Sequence, residues 1–179
     1  RRFIVYDTEL KGFGLKVIAF DPYLPDKEAR AIDVELVSLE RLLQESDFVS
    51  IHALATPETR HLIGAAQLQL MKPNACIVNT ARGTIIDEAA LAQALKERRI
   101  CAAGLDVTEE EPVTMENPLM KLDNVVITGH SAAFSPRAWQ EMWMRPVRLV
   151  AQMRNGEWPH GLVNPKAKQK YVQKWGLLK

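Results

Sequence analysis

Five short apolar runs recur along the chain with amphipathic stretches between them: Leu15–Phe20, Phe48–Ala53, Ala75–Thr80, Ala102–Val107 and Val125–Thr128. They are rich in Val, Ile, Leu and Ala without strict polar alternation, the pattern of strands buried on both faces of a parallel sheet. Parallel neighbours cannot be joined by a hairpin and need a crossover of about a dozen residues or more. The intervening stretches supply it. Ser38 caps a helix whose Leu39, Leu42 and Leu43 share one face. Asp87 caps Glu88–Arg99, with Ala90, Leu91, Ala94 and Leu95 as its apolar stripe and Lys96, Arg98 and Arg99 at the negative end of its dipole. Ser135-Pro136 opens a longer helix that should stop at Asn155-Gly156, with Pro146 kinking it. Val34–Val37 reads either as one more short strand or as the approach to the next helix. Right-handed βαβ units of this kind give an α/β fold, a doubly wound parallel sheet covered by helices on both faces.

In such sheets the ligand crevice lies outside the carboxyl ends of the strands. Three charged side chains stand there. Arg82 follows Ile77–Ala81, Glu111 follows Gly104–Glu110, and His130 closes Val125–Gly129. The planar fork of an arginine can hold a carboxylate through two hydrogen bonds. An imidazole titrates near pH ~6.5 and can give and retake a proton. A carboxylate beside it would orient the ring and favour its charged form. Together the three suit binding of an anionic carbonyl compound and proton delivery to it, which is 2-oxo acid reduction. Each also has a plainer reading: a surface ion pair for Arg82, a structural strand-end histidine for His130, a solvated acidic loop for Glu109–Glu111. Spacing does not say which of the three glutamates points inward. Asp106 is placed either to meet a nicotinamide carboxamide or to cap the turn that follows it.

Asp21 stands directly after the run Leu15–Phe20. A carboxylate there bonds both hydroxyls of an adenosine ribose and repels a 2′-phosphate, favouring NAD over NADP; it equally suits a turn before Pro22. The usual companion, a G-x-G-x-x-G loop about 20 residues upstream, is not in the sequence. Gly12 and Gly14 lie too close to the strand to replace it.

The chain has 179 residues, 47% hydrophobic and 25% charged, with a net charge of +1. Those are the values of an ordinary globular domain, or one domain plus a fragment, and no bulk charge favours nucleic acid or a membrane surface. No apolar run of about 18 residues and no leader pattern is seen, so a cytoplasmic location is expected. Cys76 and Cys101 read as buried small hydrophobes, with neither a disulfide nor a metal site expected. His52 reads as structural or lining the crevice, and His61 and His160 as surface residues.

The stretches Gly12–Tyr23 (GFGLKVIAFDPY), Ser50–Ile63 (SIHALATPETRHLI), Met71–Leu95 (MKPNACIVNTARGTIIDEAALAQAL), Gly104–Pro112 (GLDVTEEEP) and Asn124–His130 (NVVITGH) resemble the D-2-hydroxyacid dehydrogenase family. The resemblance runs from Lys11 to about Pro165. It implies a Rossmann-type NAD-binding domain and an NAD-dependent oxidoreductase that interconverts a small D-2-hydroxy acid and its 2-oxo acid, working as a homodimer. Catalysis would then fall on Arg82, Glu111 and His130. Asp21 would bind the ribose and Asp106 the nicotinamide side, with Pro22, His52, Thr56, Thr80, Ala81 and His130 completing the cofactor contacts. The implied organisation is a remnant of the substrate domain at 1–10, the NAD-binding domain lacking its Gly-rich loop at 11–163, and a tail at 164–179 returning toward the substrate domain. Phe3–Asp7 reads as a strand with no room for a crossover before Lys11. An omitted segment between Leu10 and Lys11 is expected rather than a true truncation, because a sheet without its first central strand leaves a long unpaired edge.

The sequence departs from the family pattern at Leu54 and Gly129, where prolines are usual. The run His130–Ser135 is closest to the branch related to C-terminal-binding corepressors, but Ala133 replaces a tryptophan common there and implies a roomier pocket. The alternatives are therefore an NAD(H)-sensing dimeric scaffold of that kind, or an inactive fragment.

Overall fold

The computed structural model describes residues 14–158 and 164–176. The strand reading at Phe3–Asp7, the 1–10 segment, Gly12 and His160 lie outside these residues. Two compact units are present, divided between Ala132 and Ala133.

The first unit holds β1 (Ile18–Ala19), α1 (Asp26–Ala31), β2 (Glu35–Leu36), α2 (Leu39–Glu45), β3 (Phe48–Ile51), α3 (Ala65–Leu70), β4 (Cys76–Asn79), α4 (Glu88–Lys96), β5 (Ala102–Leu105) and β6 (Val125–Ile127). Every strand pair among the described residues is parallel: β1 with β2, and β3-β4-β5-β6 in sequence order. This is the expected α/β architecture. The register aligns Asn79 with Leu105 and Leu105 with Ile127, so β4, β5 and β6 end level and their following loops leave from one edge.

Ile77, Leu105, Leu43, Leu68, Leu91, Leu95 and Ile100 pack in the core between sheet and helices. Asp87 and Ser38 cap as expected, accepting from the N–H groups of Ala90 and Arg41. Helix α4 stops at Lys96 rather than Arg99. Arg98 turns to φ +55°, and Arg98 and Arg99 N–H groups return to the carbonyls of Leu95 and Ala94, closing the helix early. Val34–Val37 resolves as the short strand β2. The cysteines depart from expectation, Cys76 being half-buried and Cys101 exposed, because both lie at the amino-terminal margin of the sheet. Burial, with Cys101 beside it, pushes the Cys76 thiol up.

The second unit holds α5 (Pro136–Arg154), which runs through Pro146 as one helix, and α6 (Ala167–Trp175). Ser135 Oγ accepts from the Ala138 N–H (3.1 Å), the expected cap. Within the tail at 164–179, Ala167–Trp175 form α6. There the Tyr171 hydroxyl donates to the Met153 carbonyl (2.7 Å) and its ring packs against Trp158. No helix among the described residues is long and apolar enough to cross a membrane.

Candidate active site

Strand β4 ends on Asn79, which is 1% exposed. Its side chain takes over where the ladder stops: Oδ1 accepts the Ala81 N–H (3.0 Å) and Nδ2 donates to the Arg82 carbonyl (2.9 Å). The resulting turn projects Arg82 outward, with Nη1 donating to the Ala81 carbonyl (2.6 Å). Arg82 lines an open concavity of about 420 Å³ together with His52, Ala53, Leu54, Ala55, Thr80 and Ala81. His52 Nε2 lies 2.8 Å from Ser50 Oγ, a partner its sequence did not suggest. Gly83 follows. A Cβ on it would sit 2.0 Å from the carbonyl carbon and oxygen of Thr108, so the loops after β4 and β5 touch backbone to backbone.

The loop after β5 decides among the glutamates. Glu111 Oε2 lies 2.8 Å from His130 Nδ1, while Glu109 turns the opposite way, toward His61. Thr108 shapes this turn, its hydroxyl donating to the Glu110 carbonyl (2.7 Å) and its N–H to Glu111 Oε1 (3.4 Å). Side chains of His130 and Glu111 are 50% and 40% exposed, so the pair is open to solvent on this side rather than enclosed.

His130 itself is held at φ +53° by Asp106. The Asp106 carbonyl accepts the His130 N–H (2.9 Å), and its buried carboxylate accepts from the Thr128 hydroxyl (2.5 Å) and the N–H groups of Ser131 (2.8 Å) and Ala132 (2.9 Å). Asp106 thus caps, but it caps the loop of the neighbouring strand rather than its own. Burial alone would raise this carboxyl; the Thr128 hydroxyl, the two N–H groups and the charge of His130 outweigh burial and hold it below the usual range. A lowered folded value contributes stability above the unfolded carboxylate value of about 3.9, lost as pH falls through the folded value. Replacement of Asp106 by Asn should therefore lower Tm at neutral pH and flatten the decline in Tm below about pH 4. Thermal melts followed by circular dichroism across pH check this, and parallel acid limbs in the two proteins would contradict it.

Asp21, 9% exposed at the end of β1, accepts the Tyr23 N–H (2.8 Å), so the turn role is present. Beside it Pro22 and Thr56 line a concavity of about 660 Å³ with Phe20, Tyr23, Leu54, Glu58, Thr59 and Leu62. Apolar walls next to a strand-end carboxylate fit an aromatic base and its ribose.

The fold brings Glu111, His130 and Asp106 into direct contact and sets Arg82, Thr80, Ala81 and His52 on the same edge of the sheet. Pro22 and Thr56 line a second hollow, with Asp21 between its lining residues Phe20 and Pro22 in the chain. Asn79 and Gly83 were given no functional role from sequence, His61 read as a surface residue, and Glu109 was one of three glutamates left unresolved. The signals for the first two were present, a buried amide ending a strand and a glycine directly after the arginine. Among the described residues no cluster of His, Cys, Asp or Glu could hold a metal ion.

A family model for the D-isomer specific 2-hydroxyacid dehydrogenase NAD binding domain matches residues 6–132. The chain is 44% identical over 154 residues to a glyoxylate reductase of Korarchaeum cryptofilum, covering 86% of this chain and 46% of that protein. It is 45% identical over 155 residues to a D-3-phosphoglycerate dehydrogenase of Methanocaldococcus jannaschii, covering 86% and 29%. A crystal structure of D-lactate dehydrogenase with NAD+ from Lactobacillus jensenii superposes with a TM-score of 0.79 at 29% identity, covering 87% of this chain and 50% of that one. The chain thus spans less than half the length of these two curated relatives.

Proposed function

The chain belongs to the D-isomer specific 2-hydroxyacid dehydrogenase family through its NAD-binding domain, and from that premise we propose that it serves NAD-dependent interconversion of a small D-2-hydroxy acid and its 2-oxo acid. The observation that carries the reading is the 2.8 Å contact between Glu111 and His130, on the sheet edge that also presents Arg82. NAD, when bound, supplies or accepts the hydride. The residues of the chain do the rest. Arg82 clamps the substrate carboxylate and polarises the carbonyl. His130, engaged at Nδ1 by Glu111, exchanges the substrate proton at Nε2. Asp21 meets the ribose, Pro22 and Thr56 the adenosine side, and Thr80, Ala81, His52 and Asp106 the nicotinamide side. Asp106 also holds the loop that carries His130, through its bonds to Thr128, Ser131 and Ala132.

The same premise supports a homodimeric, cytoplasmic protein, with residues 11–163 as the dinucleotide domain and 164–179 returning toward a substrate domain. The run His130–Ser135 favours a second reading, an NAD(H)-sensing scaffold of the corepressor-related branch. The two share a fold and differ in turnover. NADH oxidation with glyoxylate, pyruvate and other small 2-oxo acids tests them. Turnover of at least one acid is expected; tight NADH binding with no turnover of any acid would replace the dehydrogenase reading with the scaffold.

A further inference from the structure

Two glutamates on the loop after β5 face opposite ways, and the reaction above uses only one of them. Glu109 Oε1 lies 3.0 Å from His61 Nε2 and also accepts the backbone N–H of Glu88 (3.0 Å), at the start of α4. Glu88 reciprocates: its Oε2 accepts the Glu109 N–H (2.9 Å) and its Oε1 accepts from Asn117 Nδ2 (2.6 Å). Arg60 Nη2 stands 4.0 Å from Glu109 Oε2, and His61 Nδ1 stands 4.0 Å from Asp87 Oδ2. His61 is itself fixed, its N–H donating to the Thr84 carbonyl (2.9 Å) with φ at +52°. Glu109 is therefore the junction of three segments: residues 60–61 after β3, the amino terminus of α4, and the loop that carries Glu111.

We propose that His61, acting through Glu109, is a positioning residue for the Glu111–His130 pair. Its functional meaning rests on the acid/base role given to that pair; its structural content stands without it. Glu109 and Glu111 are two residues apart in a turn closed on itself by Thr108, whose N–H and hydroxyl bond Glu111 Oε1 and the Glu110 carbonyl. A turn so short cannot shift at one glutamate and stay still at the other. The far side of Glu111 meets His130 at 2.8 Å, so a displacement of about 1 Å carries the pair beyond the hydrogen-bond limit of roughly 3.2 Å. Glu109 keeps the Glu88 N–H when His61 is removed, so the loop loosens without unfolding.

The test compares His61→Asn with His61→Gln in the full chain. Asn accepts the positive φ at this position but is too short to reach Glu109, whereas Gln carries a donor amide at nearly the distance of the imidazole nitrogen. The readout is the nitrogen and proton resonances of the His130 ring by NMR. His61→Asn is expected to move them toward those of an imidazole without a carboxylate partner, His61→Gln to restore them, and Glu109→Gln to move them as His61→Asn does. Where the parent protein turns over a 2-oxo acid, His61→Asn should lower kcat by about 10-fold with little change in KM, a misplacement effect. Unmoved His130 resonances in a folded His61→Asn variant, or equal spectra for the Asn and Gln variants, overturn the proposal. Should His61→Asn fail to fold, Glu109→Gln is read in the same way. A parent without turnover refutes the dehydrogenase reading, while the NMR comparison still decides this one.

Discussion

Substitution of His130 by Asn should lower turnover of a 2-oxo acid by roughly 10²–10⁴-fold, the usual contribution of one general acid/base, and leave NADH affinity within about twofold. Asn is the cleaner replacement because His130 sits at φ +53°, a conformation that Asn tolerates and Ala resists at a cost of about 1 kcal/mol. Glu111 loses its partner in this variant. It is 40% exposed, so water replaces the imidazole and little folding stability is lost. The loop keeps its shape through Asp106, whose bonds to Thr128, Ser131 and Ala132 do not involve the histidine ring. Loss of rate with binding and Tm retained therefore isolates the proton-transfer step. Steady-state kinetics alongside NADH fluorescence titration make the measurement, and undiminished kcat would remove His130 from the chemistry.

The strands and the capped helices were legible because each is dictated locally. Ser38, Asp87 and Ser135 cap the helices they precede through a hydrogen bond three residues on, and a run of apolar residues needs no partner to be read as buried. The strand ends were read too long for a functional reason. Val107 and Thr128 extend the apolar or β-branched pattern past the last paired residues, Leu105 and Ile127; Asp106 and Thr128 still donate their N–H groups to the carbonyls of Asn79 and Leu105, and beyond them the chain turns into the loops that hold His130. Helix α1 was invisible because DKEARA offers no apolar stripe, Ala29 being its only buried residue. The glutamate choice depended on groups distant in sequence: Glu109 answers to Glu88, 21 residues earlier, and to His61, 48 residues earlier. Nothing in three consecutive glutamates encodes that. The same distance explains why His61 read as a surface residue, and why the cap weighed for Asp106 beside a nicotinamide contact was one on its own turn, when the N–H groups it satisfies belong to the next strand's loop.

Replacement of Gly83 by Ala should be among the most damaging single-methyl changes available in this chain. The added Cβ would meet Thr108 carbon and oxygen at 2.0 Å and Glu109 nitrogen at 2.5 Å, all backbone atoms with no rotamer to escape into. Neither side can yield cheaply. Strands β4 and β5 are locked in register from Cys76↔Ala102 to Asn79↔Leu105, and Asn79 ties the Arg82 turn to the strand end from within the core. Overpacking costs about 1–3 kcal/mol where side chains can adjust and more where backbone must move. For a domain of this size the top of that range lowers Tm by on the order of 10 °C. Gly104→Ala is the matched control, since its Cβ would meet only Val78 Cγ2 at 3.8 Å, an ordinary contact, and should change stability by no more than about 0.5 kcal/mol. If the fold survives Gly83→Ala, the strain must be relieved by parting the two loops, which carries Arg82 away from Glu111 and depresses turnover beyond what the lost stability explains. Thermal denaturation of both variants gives the first comparison and kcat at a temperature well below Tm the second. Equal melting temperatures for Gly83→Ala and Gly104→Ala would show that the two loops do not press on each other, and with that the rigid link between the arginine and the glutamate–histidine pair would fall.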